Sequence, residues 1–300
     1  MSVRHIQTPL FLIILLALCW SATPPLGRIA GQEAIPSFTF VGTQALGGMI
    51  ILLLICAARK KWPVVSLSTV PFYLISGLFG QALPQLIVYD AVQNIPIAVV
   101  GLILALTPLA TMAVAAAFRV ETLTLKRCVA LLMGFCGTLF VLLPKTALPS
   151  VSALHWVVLC LAVPVFFAFS NVFSVKLRPS ENDTIGNALG MMSVATVFLF
   201  TGSLIWGQLY LPAVSDPSHG DITLAAQAAI AGLAYVLYFR LLDRAGAVIM
   251  SSTAYVILLL TTLWGALFFN ELPNGWVIAA IILITGALLL LQHRPVHLKS

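Results

Sequence analysis

Ten apolar stretches follow one another along this 300-residue chain, at roughly 9–30, 39–58, 68–89, 95–118, 125–143, 153–176, 184–206, 222–242, 246–269 and 274–291. A helix rises 1.5 Å per residue, so about 20 apolar residues cross a hydrocarbon core about 30 Å thick. Each stretch therefore reads as one helical span. The expected fold is an all-α membrane protein with ten transmembrane helices. Composition removes the other classes. The chain is 61% apolar and only 8% charged, where soluble domains carry about 25% charged residues. A cytosolic enzyme, a disordered chain and a secreted disulfide scaffold are all excluded. The first stretch lacks a clear small-residue cleavage site before Pro24 and Pro25, so it reads as an uncleaved span and not as a leader.

Short breaks separate the spans, the longest running from Gly207 to Asp221. With the N-terminus in the cytoplasm, thirteen of the fifteen Lys and Arg residues fall on the cytoplasmic side, and only Arg28 and Lys145 on the other. Inverting the topology, or using an odd number of spans, destroys that asymmetry. The reading is a multi-pass protein of the cell (cytoplasmic) membrane with both termini cytoplasmic. The surplus of bases, a net charge of +6, belongs to this asymmetry and calls for no nucleic acid partner. The five cysteines, Cys19, Cys56, Cys128, Cys136 and Cys160, lie in apolar runs without CxxC spacing. They read as small buried hydrophobes and imply neither disulfides nor metal.

The chain also reads as duplicated at an offset of about half its length. Glu121 falls on Glu271, Arg28 on Arg178, Tyr89 on Phe239, and Gly137 within one residue of Gly286. Five spans per half is an odd number, so the halves, 1–147 and 148–300, run in opposite directions. That is an inverted-topology repeat, common in secondary transporters.

Several local patterns are similar to those of the EamA family in the drug/metabolite transporter superfamily, over nearly the whole chain. The first span carries LCWSATPPLGRIA, with Trp20, Pro24 or Pro25, Gly27 and Arg28 in the family's places. The third to fifth spans supply the fourth-span proline, Pro108, the small-residue helix, Glu121 at its end and a Gly-containing fifth span, and the second half repeats the arrangement. Two departures bear on substrate rather than on fold. Phe169, Ser170 and Asn171 stand where the family has a tryptophan, and Leu258 stands opposite Pro108. The resemblance implies a transporter for small polar metabolites, with a cavity lined by spans 1, 3, 4, 6, 8 and 9.

Polar side chains in hydrocarbon need partners or water, so those within spans are the candidate substrate-binding residues. They are Trp20 and Ser21 in span 1, beside Thr23, and Gln81, Gln85 and Tyr89 in span 3. Span 4 offers Thr107 and Thr111, span 6 Asn171, span 8 Tyr235 and Tyr238 beside Gln227, and span 9 Ser252 and Tyr255. Single Ser and Thr residues in spans more often serve helix packing. Gln81, Gln85 and Tyr89 recur every four residues, which predicts one helical face. The prolines within spans, Pro84, Pro108 and Pro164, free carbonyls and permit kinks. Trp264, also within a span, needs a partner for its N–H. Gly134, Gly137 and Gly286 are candidates for a homodimer face.

No charged residue sits at mid-span, which favours a facilitator or exchanger over a carrier driven through an intramembrane carboxylate. Arg28 and Asp90, at the outer ends of spans 1 and 3, read as interfacial charges and as a candidate pair, and proton coupling through such an end-of-span acid stays an alternative. Glu121 and Glu271 read as structural. There is no HExxH and no supported Ser/His/Asp group, so no enzyme, cofactor or metal is implied. The partners expected are a small-molecule metabolite and the lipid bilayer. The function expected is export of small polar metabolites such as amino acids by alternating access. An uptake permease, an exchanger and a flippase for a lipid-linked head group are the alternatives.

Overall fold

The computed structural model describes residues 3–119, 125–142, 151–177, 179, 182–213, 216–251 and 253–292. Among them there is no strand. The helices are α1 (Val3–Ser21), α2 (Thr23–Gln32), α3 (Ser37–Arg59), α4 (Val70–Gly77), α5 (Leu83–Val92), α6 (Ile97–Leu104), α7 (Thr107–Ala117), α8 (Leu125–Leu142), α9 (Val151–Cys160), α10 (Ala162–Leu177), α11 (Thr184–Ile205), α12 (His219–Ser251), α13 (Thr253–Phe269) and α14 (Gly275–Gln292). A π-helical segment, Leu78–Ala82, joins α4 to α5. Seven helical stretches are long and apolar enough to cross a membrane: Phe11–Gln32, Ser37–Arg59, Val70–Val92, Ile97–Ala117, Ala153–Phe173, Thr184–Ile205 and His219–Tyr238. Three shorter apolar helices, Cys128–Gly137, Val256–Phe269 and Gly275–Ala287, stand in the positions of the fifth, ninth and tenth expected spans.

Proline explains where the spans break. Pro24, Pro84 and Pro108 each sit in the first turn of a new helix, α2, α5 and α7, and Pro164 lies in the first turn of α10. A proline has no N–H to give the carbonyl four residues earlier and its ring crowds it. The helix therefore stops just upstream and restarts with the proline at a position whose N–H was never needed. At Pro108 the chain repairs the loss locally: the Thr107 hydroxyl donates to the carbonyl of Leu104, the one Pro108 frees, at 2.7 Å. The turn expected near residues 243–245 is absent, and α12 continues helically to Ser251.

Buried apolar residues form three patches. The first joins α5, α6, α7, α8, α9, α13 and α14 around Val99, Ile103, Leu258 and Ile284. The second joins α2, α3, α5 and α11 around Phe40, Leu52, Met192 and Leu199. The third joins α1 and α12 around Leu16 and Leu241. The main helix pairs are α3 with α11 and α12, α8 with α14, α10 with α7, and α1 with α12 and α13. The α6–α13 crossing is close because Gly101 faces the Thr261 side chain, which leaves no room for a Cβ. The glycines expected at a dimer face are used inside the chain. A Cβ at Gly137 would come within 2.7 Å of Ile284 on α14, Gly286 packs against Met133 of α8, and Gly134 against Leu109 of α7.

Candidate substrate site and the charged end

Where α1, α3, the π segment and α12 meet, the bundle holds several large polar side chains. Gln81, in the π segment, is 2% exposed. Its Oε1 accepts a hydrogen bond from the Tyr235 hydroxyl of α12 at 2.8 Å, while its Nε2 is buried without a partner. Two turns earlier on α12, the fully buried Gln227 donates from Nε2 to the Thr23 hydroxyl oxygen at 3.0 Å. Its Oε1 has no partner, and neither has Oε1 of the buried Gln44 on α3. A buried polar atom left unpaired costs about 1–3 kcal/mol. Three such amide atoms in one neighbourhood are therefore hydrogen-bonding capacity that the fold itself leaves unused.

The candidate residues fall into sets. Trp20 packs against Tyr238 with ring centroids 5.7 Å apart and planes tilted by 49°. Ser21 accepts from the Trp264 indole N–H at 3.0 Å, which provides that partner from the neighbouring span. Gln81 meets Tyr235. Gln85, half-buried, borders a water-sized void of about 10 Å³ beside Thr23 and Gln44. On the other side of the bundle Asn171 of α10 donates to the Thr111 hydroxyl of α7 at 3.3 Å. Ser170 connects the two sets by packing its hydroxyl against Gly80 of the π segment. Thr107 is spent on the Leu104 carbonyl. Ser252 and the side chain of Tyr255 lie outside the described residues.

Of the stripe Gln81, Gln85 and Tyr89, the last two border one void with Thr23 and Gln44, and Gln81 departs from them. Gln81 lies in the π segment, whose turn is wider than that of an α-helix. Gln81 therefore turns toward α12, while Gln85 and Tyr89 both face α3, where Phe40, Val41 and Gln44 line the void with them. The Tyr89 hydroxyl donates to the Ile35 carbonyl, and its ring packs 4.9 Å from Phe40. Gln44 was missed by sequence reasoning because it is the one large polar residue in an otherwise apolar second span, a pattern that helix packing also produces.

One end of the bundle is held by charge. Arg28, at the end of the first span, ion-pairs with Glu271 in the α13–α14 connection. It also donates to the carbonyls of Val92 and Ile95 at the end of α5, and its guanidinium lies 5.2 Å from the centre of the Phe269 ring. The second oxygen of Glu271 accepts the N–H of Ile97 at 2.7 Å, capping α6. The candidate Arg28–Asp90 pair is thus replaced by Arg28–Glu271. The guanidinium takes the carbonyl of Val92, the last residue of α5, and that of Ile95 in the loop beyond it, at a helix C-terminus where a cation is favoured. Glu271 takes the complementary place at a helix start. The pair thereby ties together the first, third, fourth and ninth apolar stretches.

Comparison with known proteins agrees with this architecture. The profile of the EamA-like transporter family matches residues 7–143 and again 154–292. The chain belongs to that family. As a member it is a multi-pass membrane transporter. The pseudopaline exporter CntI of Pseudomonas aeruginosa, from strains UCBPP-PA14 and PAO1, is 26% identical over 249 residues, covering 83% of each chain. A solved crystal structure superposes with a TM-score of 0.61 at 18% identity, covering 95% of this chain and 96% of that one, which establishes the shared fold.

Proposed function

We propose that this EamA-like protein exports small polar metabolites, such as amino acids, across the cell membrane by alternating access. Its ten spans form two inverted five-helix repeats, 1–147 and 148–300, with both termini in the cytoplasm. The observation that carries the reading is the group of unused amide atoms of Gln44, Gln81 and Gln227 around Tyr235 and Thr23. A polar solute, or the water that accompanies it, satisfies such atoms where lipid cannot. The substrate path is lined by Trp20, Ser21, Gln81, Gln85, Tyr235 and Tyr238, with Thr111 and Asn171 facing it from the other repeat boundary.

The helix pairing supports the inverted repeat. Numbering the spans one to ten and exchanging each with the one five places along carries the pair 1–8 onto 6–3, 2–8 onto 7–3 and 1–9 onto 6–4. It leaves 2–7, 4–9 and 5–10 as themselves, and all of these pairs are in contact. A two-fold relation between the halves predicts this pattern. Export, rather than uptake, is favoured by the similarity to a pseudopaline exporter over most of both chains. The neutral lining suits zwitterions better than multiply charged anions.

Gln85→Leu tests the path. Gln85 is half-buried beside the void, so removing its amide leaves the fold intact. The expected result is a drop in metabolite release of about tenfold or more, the worth of one hydrogen bond to a polar ligand, with normal membrane insertion. Release at the native rate overturns the assignment.

A further inference from the structure

A second cavity, away from the polar interior, opens between α3, α4 and α11. It has a volume of about 510 Å³ and is walled by Met49, Leu53, Trp62, Tyr73, Leu189 and Val194. Its chemistry is the reverse of that around Gln81. Ser193, on its wall, has its hydroxyl committed to the Leu189 carbonyl at 2.8 Å. The Tyr73 hydroxyl donates to the Val64 carbonyl at 3.0 Å and accepts from Asn182 at 2.7 Å. The crevice thus leaves little for a polar solute to bind. It is also built rather than left over. Tyr73 is held from both sides by those bonds, and Gly190 admits its ring against α11, where a Cβ would collide with it.

The mouth of the crevice carries charge. α3 ends in Arg59, and Lys60 turns the chain with a left-handed φ of 53° before Lys61 and Trp62. All three bases are exposed. Among the described residues the one carboxylate near them is Asp183, 3.8 Å from Arg59. Trp62 is 58% exposed beside them, the place of an interfacial aromatic. From Arg59 back to Met49 is ten residues of helix, or about 15 Å. That is half of a hydrocarbon core about 30 Å thick, the depth of one leaflet.

We propose that this crevice binds one anionic phospholipid, with an acyl chain lying along Leu53 and Met49 and the phosphate held by Arg59, Lys60 and Lys61. The apolar wall of one-leaflet depth fits the chain. The surplus of bases at its mouth selects a negative headgroup, since each base near a membrane surface favours anionic lipid. The inference needs only the membrane-spanning fold and not the transport reading.

Native mass spectrometry of the full-length protein in detergent tests it, with equimolar phosphatidylglycerol and phosphatidylcholine of matched chains. The expected result is one retained phosphatidylglycerol per chain, preferred about tenfold or more. Lys60→Glu combined with Lys61→Glu brings the preference close to one. Ser193→Phe, which fills the crevice, removes retention of both lipids; if that variant does not elute as a single species, Leu53→Phe takes its place. No retained lipid, or equal retention of the two by the native protein, overturns the proposal. So does a phosphatidylglycerol preference that survives filling of the crevice, because the headgroup then binds without the chain.

Discussion

The two ends of the bundle are fastened by different means. At the end where α2 finishes, Arg28, Glu271, two carbonyls of the third span and the first N–H of α6 form one network. Its two charges are only 13% and 17% exposed. At the opposite end, where α3 finishes, the fastening is neutral. Asn182 accepts the N–H of Val64 at 2.8 Å and donates to Tyr73 at 2.7 Å and to Asn187 at 3.2 Å. The ion pair there, Arg59 with Asp183, is long at 3.8 Å, with side chains 55% and 37% exposed. Shielded charges interact more strongly than solvated ones, and they also cost more to leave unpaired. The Arg28 end is therefore a charge lock that rests on one shielded ion pair, whereas the Arg59 end holds by several smaller contacts.

Removing one member of the shielded pair breaks the comparison most directly. Glu271→Gln leaves Arg28 without a countercharge and is expected to cost about 3–5 kcal/mol, read as a lowered Tm of the purified protein. Changing both Arg28 and Glu271 to Met is expected to recover part of that loss, because no charge is then left unpaired. If the single variant is as stable as the native protein, the end is not locked by charge. Asn182→Ala is expected to cost less, about 0.5–1.5 kcal/mol, by removing its hydrogen bonds to the Val64 N–H and the Tyr73 hydroxyl, which keep water and the Val64 carbonyl as partners. An Asn182 effect equal to that of Glu271 would erase the difference between the ends.

Much of this arrangement was legible in the residues. The apolar runs marked the helices, and the in-span prolines marked their breaks, because both follow from the backbone alone. Charges repeated at one offset, Arg28 with Arg178 and Glu121 with Glu271, already held the clue to the lock: an arginine and a glutamate at span ends, one from each half. The candidate pair of Arg28 with Asp90 does not form, because Arg28 pairs with Glu271 and takes the carbonyls of Val92 and Ile95 instead. Gln85 and Tyr89 share the face that four-residue spacing predicts, while Gln81 departs from it because a π turn leaves no signature in spacing. Gln44 could not be found from sequence, for its role depends on which helix faces it. Gly134, Gly137 and Gly286 were identified as close-contact residues, but sequence does not distinguish a partner helix in the same chain from one in another.

The smallest expected effect separates charge from capping at the neutral end. Asp183 both faces Arg59 and caps α11, its Oδ1 accepting the N–H of Gly186 at 2.8 Å. Asn caps a helix about as well as Asp, so Asp183→Asn removes the ion pair and keeps the cap. An exposed pair at this distance is worth about 0–1 kcal/mol, and the variant is expected to unfold within about 0.5 kcal/mol of the native protein. Asp183→Ala removes the cap as well and is expected to lose about 1 kcal/mol more. Adding salt narrows any gap between the native protein and the Asn variant, since solvated charges are screened, and leaves the loss in the Ala variant unchanged. If Asp183→Asn instead destabilises the protein as much as Glu271→Gln, the Arg59 end is also a charge lock, and the two ends differ in exposure alone.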